Sequence, residues 1–278
     1  MLEREEIIAS FIILYREEPL PFLGIMKYTM FWQKKSARIW EFGSRRKNEI
    51  SRGLFMVVAK EQKERAKKII KRLRELFPRT AIVLKYSNPW ELLVAVRLSA
   101  QCTDKKVNEV TEKLFKKYRA LEDYVSASAS RRTQEEFEQD VKQTGFYKAK
   151  AKSVLEAAKI VKEEFGGNVP DTMEDLLLLP GIGRKSAVII LGNAYGKKEE
   201  GIAVDTHVMR LSQKLGLTDH KDPVKIEQDL MKLVPKKDWF FLTYGLIEYG
   251  RQICPARKHD CENHPLSKIY PKAASIWP

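Results

Sequence analysis

The sequence predicts an all-α protein, and three observations carry that expectation. From residue 57 onward apolar residues recur at three- and four-residue spacing, as in Ala66, Ile69, Ile70, Leu73 and Leu76. The periodic segments stop at prolines and glycines, such as Pro78, Gly166-Gly167 and Pro180. No stretch alternates apolar and polar residues long enough to read as a convincing strand. At 278 residues, 44% hydrophobic and 32% charged, the chain is long enough for one large or two modest globular domains with a full core.

The elements follow in order. Residues 1–55 read as an appended segment of low structural commitment, consistent with an upstream start of translation. Its apolar run, 7–14, follows Glu3, Glu5 and Glu6 and is far too short to span a membrane, so neither a signal peptide nor an anchor is expected. A basic patch over 42–53 contains Arg45, Arg46, Lys47 and Arg52. An amphipathic helix with a basic outer face is expected over 57–76. Ser87-Asn88-Pro89 is a turn and cap before a largely buried helix over 90–100. Thr103 or Asp104 caps the next, which runs to about Tyr118. Two short helices around a polar break at 126–133 precede a long helix over about 144–165. Asp171 or Thr172 then caps a short helix entering the run Leu176 to Leu179. Further helices are expected over 185–193, from Arg210 to Gly216, over 223–233 and over 239–253. Three cysteines are too few for a disulfide framework, so a reducing, cytoplasmic setting is expected. A monomer is a separate expectation.

The chemistry concentrates in LLLLPGIGRKSAVIILGNAYGKKEEGIAVDTHVMR, residues 176–210. Gly181 and Gly183 free the backbone for a tight hairpin between two helices. Such a hairpin presents unsatisfied N–H groups with partial positive charge at a helix start, where an anion, usually a phosphate, belongs. Backbone amides read no base, so this grip would position nucleic acid of any sequence. Taken alone, the hairpin fits an ordinary αα-hairpin equally well. Lys185 sits in the first turn of the second helix, where the dipole disfavours the ammonium and favours a neutral, nucleophilic amine. Asp205, followed by Thr206 in an apolar setting, reads by itself as an N-cap. The net charge of +14 attracts polyanions without saying which.

LPGIGRKSA and AVDTHVMR together resemble the endonuclease III branch of the helix-hairpin-helix DNA glycosylases. The resemblance covers about residues 56–273 and implies two helical lobes with DNA in the cleft between them. Domain bounds expected on this basis are an extension at 1–55, a core at 56–253 with its first helix packing on the C-terminal lobe, and a loop and tail at 254–278. The resemblance implies that Lys185 is the nucleophile and Asp205 its catalytic partner. The intervening 196–201 loop looks about two residues longer than usual. Leu98-Ser99-Ala100-Gln101-Cys102-Thr103-Asp104 looks like the family's LSAQxTD segment, which makes Gln101 the side chain that fills the gap left by an extruded base. Gly145-Phe146-Tyr147-Lys148-Ala149-Lys150-Ala151 is similar to the GxYxxKA segment. It casts Phe146 as an opposing apolar wedge and Lys148 and Lys150 as phosphate contacts, alongside Gly181, Gly183 and Arg184. From spacing alone these remain a core aromatic and a solvated basic face.

The implied activity is excision of damaged bases, oxidised pyrimidines foremost, from double-stranded DNA. A nick at the abasic site by β-elimination follows through a lysine Schiff base, a step that needs no metal. A monofunctional glycosylase and a non-catalytic hairpin DNA-binding protein are the alternatives. Many relatives close with C-x6-C-x2-C-x5-C around a [4Fe-4S] cluster. Here those places hold Cys254, Cys261, His264 and Tyr270, followed after the last two by Pro265 and Pro271, so no cluster is expected. Zinc on Cys254, His259, Cys261 and His264 is chemically allowed but fits no standard spacing, and packing of a relic loop is the expectation. Tyr249-Gly250-Arg251 stands where the family often has His-Gly-Arg.

Overall fold

Capping side chains set most of the helix boundaries. A computed structural model describes residues 57–275, and those from Glu61 onward belong to one unit. The expectations for 1–55 lie outside the described residues. Helix α1 covers 57–76. Asn88 starts α2 (Pro89–Leu98) by accepting the Glu91 N–H at 2.9 Å, with Pro89 supplying a first-turn residue that needs no donor. Thr103 likewise caps α3 (Asp104–Lys117). Helices α4 (Leu121–Ala127), α5 (Arg131–Asp140) and α6 (Tyr147–Glu164) follow. Thr172 caps the single turn α7 (Met173–Leu176), and Gly183 precedes α8 (Arg184–Ala194). Asp205 caps α9 (Thr206–Lys214), Asp222 caps α10 (Pro223–Leu233), and α11 (Trp239–Gln252) completes the described α-helices. No strand occurs among the described residues.

Among the boundaries that differ from the sequence reading, three have a clear local reason. The break expected over 126–133 shrinks because Ser130 and Thr133 form a reciprocal capping box and start α5 at Arg131. The long helix begins at Tyr147, since Gly145 and Phe146 both adopt positive φ, 70° and 49°. The leucine run leaves the helix at Leu176. Leu176 and Leu179 turn inward, whereas Leu177 and Leu178 are exposed beside Pro180.

Two hydrophobic cores divide the unit. The first lobe is a continuous stretch, α2 through α8, centred on Leu92, Leu93, Val94, Val154, Leu176 and Ile190. The second joins α1 to α9, α10, α11 and the C-terminal loop: Ala66, Ile69 and Leu73 pack with Leu211, Leu230, Leu242 and Leu246. Arg65 strengthens that junction by donating to the Gly216 carbonyl at 2.7 Å and lying 4.0 Å over the Tyr270 ring. The chain therefore enters the second lobe, builds the whole of the first, and returns.

Candidate active site

Where the lobes meet, a cleft of about 960 Å³ is walled by Gln101, Thr103 and Asp104 from the first lobe and by Asp205, His207 and Arg251 from the second, with Lys185 at its edge. Arg251 of α11 is ion-paired with Asp104 of α3, so a charged contact bridges the walls. A narrower recess beyond it brings Val83, Val96, Ile189, Tyr244 and Ile247 around Lys185 and Asp205. Apolar walls of this kind strengthen every charge interaction inside.

Lys185 is exposed and makes no hydrogen bond or ion pair among the described residues. It stands in the first turn of α8, whose N-terminus lacks a capping side chain. Gly181 has φ +79°, and a Cβ there would overlap the Arg97 side chain, so the hairpin requires glycine on two counts. Gly183 has an ordinary φ and open space where a Cβ would sit, which leaves the first N–H groups of α8 accessible. Arg97 holds the hairpin's other side. Its Nε donates to the Ser153 hydroxyl of α6 at 2.6 Å.

Asp205 does what a capping aspartate does, Oδ1 accepting the Val208 N–H at 2.8 Å. The cap fixes its carboxylate where α9 meets the cleft, so capping and a part in the chemistry are compatible. His207, two residues on, is half-buried, and desolvation holds its imidazolium below the usual histidine range. Its ring lies so close to Gly250 that a Cβ there would collide with Nδ1.

The two wedge candidates share an unusual backbone. Gln101 (φ 53°) and Phe146 (φ 49°) are the only non-glycine residues with positive φ among the described residues, and Phe146 leaves 70% of its surface in solvent. Left-handed backbone costs a non-glycine residue about 1–2 kcal/mol, so such strain persists only where the surroundings enforce it. Lys150 supplies part of that enforcement. Expected at a phosphate, it is instead 1% exposed, and its Nζ donates to the Leu98 and Thr144 carbonyls, both at 2.7 Å. It thus ties the end of α2, just before Gln101, to the turn just before Phe146. Burial pushes its amine below the usual lysine range. Arg184, also expected at a phosphate, has a protein partner. It reaches across the hairpin to Glu227 of α10 at 2.6 Å, which raises the guanidinium further, while the buried Glu227 accepts the Ile202 N–H. Lys148 is exposed and makes no hydrogen bond or ion pair among the described residues.

Sequence reading missed Arg97, Arg251 and the clamp made by Lys150. The available signals were a lone arginine in the otherwise apolar run LLVAVRL and, for Arg251, the Tyr249-Gly250-Arg251 segment, to which no role was given.

The residues at the family's [4Fe-4S] positions do not fit that group. Tyr270 packs against Gly216 and Arg65, and only Cys254 and Cys261 supply thiolates, too few for a cubane. Tyr249 has its own role here, its hydroxyl oxygen accepting the Leu266 N–H at 3.2 Å and so pinning the loop.

Two helical lobes, a glycine hairpin opening a helix, and a lysine and a capped aspartate in the cleft define a helix-hairpin-helix DNA repair protein. Comparisons with known proteins agree. Residues 94–236 match the model of the HhH-GPD superfamily base excision DNA repair proteins. Endonuclease III of Synechocystis sp. is 44% identical over 212 residues, 76% of this chain and 94% of that one. Two solved structures, a non-covalent endonuclease III–DNA complex and a trapped endonuclease III–DNA covalent intermediate, each align with a TM-score of 0.71 at 36% identity. Each alignment covers 77% of this chain and 97% of that one. The chain belongs to the endonuclease III family of base excision DNA glycosylases and abasic-site lyases. No helix among the described residues is long and apolar enough to cross a membrane.

Proposed function

We propose that Lys185 is the nucleophile of a glycosylase/lyase acting on damaged bases in duplex DNA, with oxidised pyrimidines as the lesion class the family resemblance implies. One observation carries this reading: an exposed lysine without a partner among the described residues lines the same cleft as a carboxylate fixed by a helix cap. The α8 amides at Gly183 and the exposed Lys148 grip phosphates without reading sequence, in a salt-dependent way. The damaged nucleotide leaves the stack, and Gln101 and Phe146 occupy the gap from two sides.

The Lys185 amine then attacks the sugar C1′ through its nitrogen lone pair as the bond from C1′ to the base breaks. The departing base takes its electron pair and acquires a proton. Asp205 lines the same cleft, and its carboxylate favours the transition state in which a cationic sugar develops and assists proton movement. Ring opening leaves an iminium between Nζ and C1′. Loss of a C2′ proton expels the 3′ phosphate, and water hydrolyses the iminium to free the lysine. None of these steps calls on a metal.

Borohydride trapping on a duplex with one abasic site tests the reading, comparing wild type with Lys185→Gln and Asp205→Asn. An adduct in wild type that vanishes with Lys185→Gln supports an amine nucleophile at the hairpin. Bound duplex without any adduct makes the chain a monofunctional glycosylase or a DNA-binding module.

A further inference from the structure

The C-terminal loop folds into an arrangement that its sequence spacing hides. The side-chain donors of Cys254, His259, Cys261 and His264 all lie within 4.8 Å of one another. A tetrahedral zinc ion, with Zn–S near 2.3 Å and Zn–N near 2.0 Å, holds its donors roughly 3.3–3.8 Å apart. Cys261 Sγ and His259 Nε2 stand at 3.3 Å already. A cubane needs its ligands set more widely around a larger core, so the convergence favours a single ion.

Further observations point inward. His259 Nδ1 sits 2.7 Å from the Arg257 carbonyl, and donation there leaves the Nε2 lone pair facing Cys261. This is the outer hydrogen bond by which a ligating histidine is oriented. His264 Nδ1 is buried with no hydrogen-bond partner, an expensive state for a polar atom unless something binds it. Both thiols are at least 98% buried. Each has a cationic donor nearby, Lys214 Nζ at 3.2 Å from Cys261 and Arg210 Nη1 at 3.7 Å from Cys254. Two cysteine sulfurs and two histidine nitrogens make a Cys2His2 donor set, the kind that holds a structural divalent ion.

We propose that Cys254, His259, Cys261 and His264 bind one zinc ion, which closes the C-terminal loop onto the second lobe in place of an iron–sulfur cluster. The ion has a structural role, since all four positions of a tetrahedral site are filled by protein and none is left for water or substrate. The inference does not depend on the roles given to Lys185 and Asp205.

Metal analysis of the full-length protein, purified without added metal, is the test. About one zinc per chain is expected, falling close to zero in Cys261→Ser. Titration of the metal-stripped wild type with Co(II) should give the intense visible bands of a tetrahedral thiolate–imidazole site, saturating at about one equivalent. His259→Gln keeps both buried thiols and should weaken Co(II) binding while the protein remains folded. Iron with inorganic sulfide, a Cys254–Cys261 disulfide, or failure of the wild type to take up Co(II) would each overturn the proposal. Because the wild-type titration decides by itself, misfolding of a variant does not blunt the test.

Discussion

The hairpin edge of the cleft and the C-terminal loop treat their polar side chains in opposite ways. At the cleft, Lys185 stands exposed without a partner among the described residues, and the amides at Gly183 open to solvent. In the loop, the thiols of Cys254 and Cys261 are buried and every donor points inward. The difference separates a site that meets a macromolecule from one that closes on itself. A reactive group must be reachable and uncommitted, whereas a structural group is stable only when satisfied.

The contrast is broken most severely by removing the uncommitted group. Lys185→Gln should lower strand incision by about 10³-fold or more while leaving the melting temperature close to wild type, because its side chain holds nothing together. Single-turnover incision beside a thermal melt checks both halves. A large loss of stability would place Lys185 among the structural lysines. Lys150→Met makes the opposite exchange. It keeps the volume, orphans two carbonyls and should cost about 2–4 kcal/mol by denaturant titration. Excision should fall with it, because the turns carrying Gln101 and Phe146 lose their common tie.

A subtler test separates strain from stability. Gln101→Gly and Phe146→Gly relieve left-handed backbone and should each raise stability by up to about 1 kcal/mol. Excision of a flipped base should nevertheless drop by about 10- to 100-fold, since the gap-filling side chain is gone. Loss of stability in both variants would mean that the side chains pack rather than wedge. The smallest effect concerns His207. Burial lowers its folded-state value, so below the unfolded histidine range the unfolded chain binds more protons, and stability falls as pH drops through about 6.5. His207→Gln should flatten that acid limb in melts run from neutral to mildly acidic pH.

Much of this was legible in the sequence, and the illegible part has a pattern. Asn88, Thr103 and Thr172 announced their helices because a cap is a local interaction. Gly181, Lys185 and Asp205 were legible because a hairpin, a helix start and a resemblance met in one short stretch. Lys150 was misread because a lysine on a helix looks solvated until its neighbours are known. Only the carbonyls of Leu98 and Thr144, 52 and 6 residues away, explain its burial. The ion pair of Arg184 was illegible for the same reason, its partner Glu227 lying 43 residues on. The Cys/His group resisted reading because chain spacing describes a metal site only when a regular element holds the ligands. Here a sequence of turns brings them together.

The double crossing between lobes also dictates an order of events during synthesis. The apolar face of α1 leaves the ribosome early, yet its partners in α9, α10 and α11 arrive only after the whole first lobe; Arg65 waits 151 residues for Gly216. The first lobe, made of one uninterrupted stretch, can therefore close while α1 remains unpaired, and the second lobe zips shut around it last. Nascent chains long enough to place residue 205 outside the ribosome, but not α11, should accordingly protect the first lobe from protease and leave α1 open to cutting. The cleft, being the seam between an early-closing and a late-closing half, would then be the final feature of the molecule to take shape.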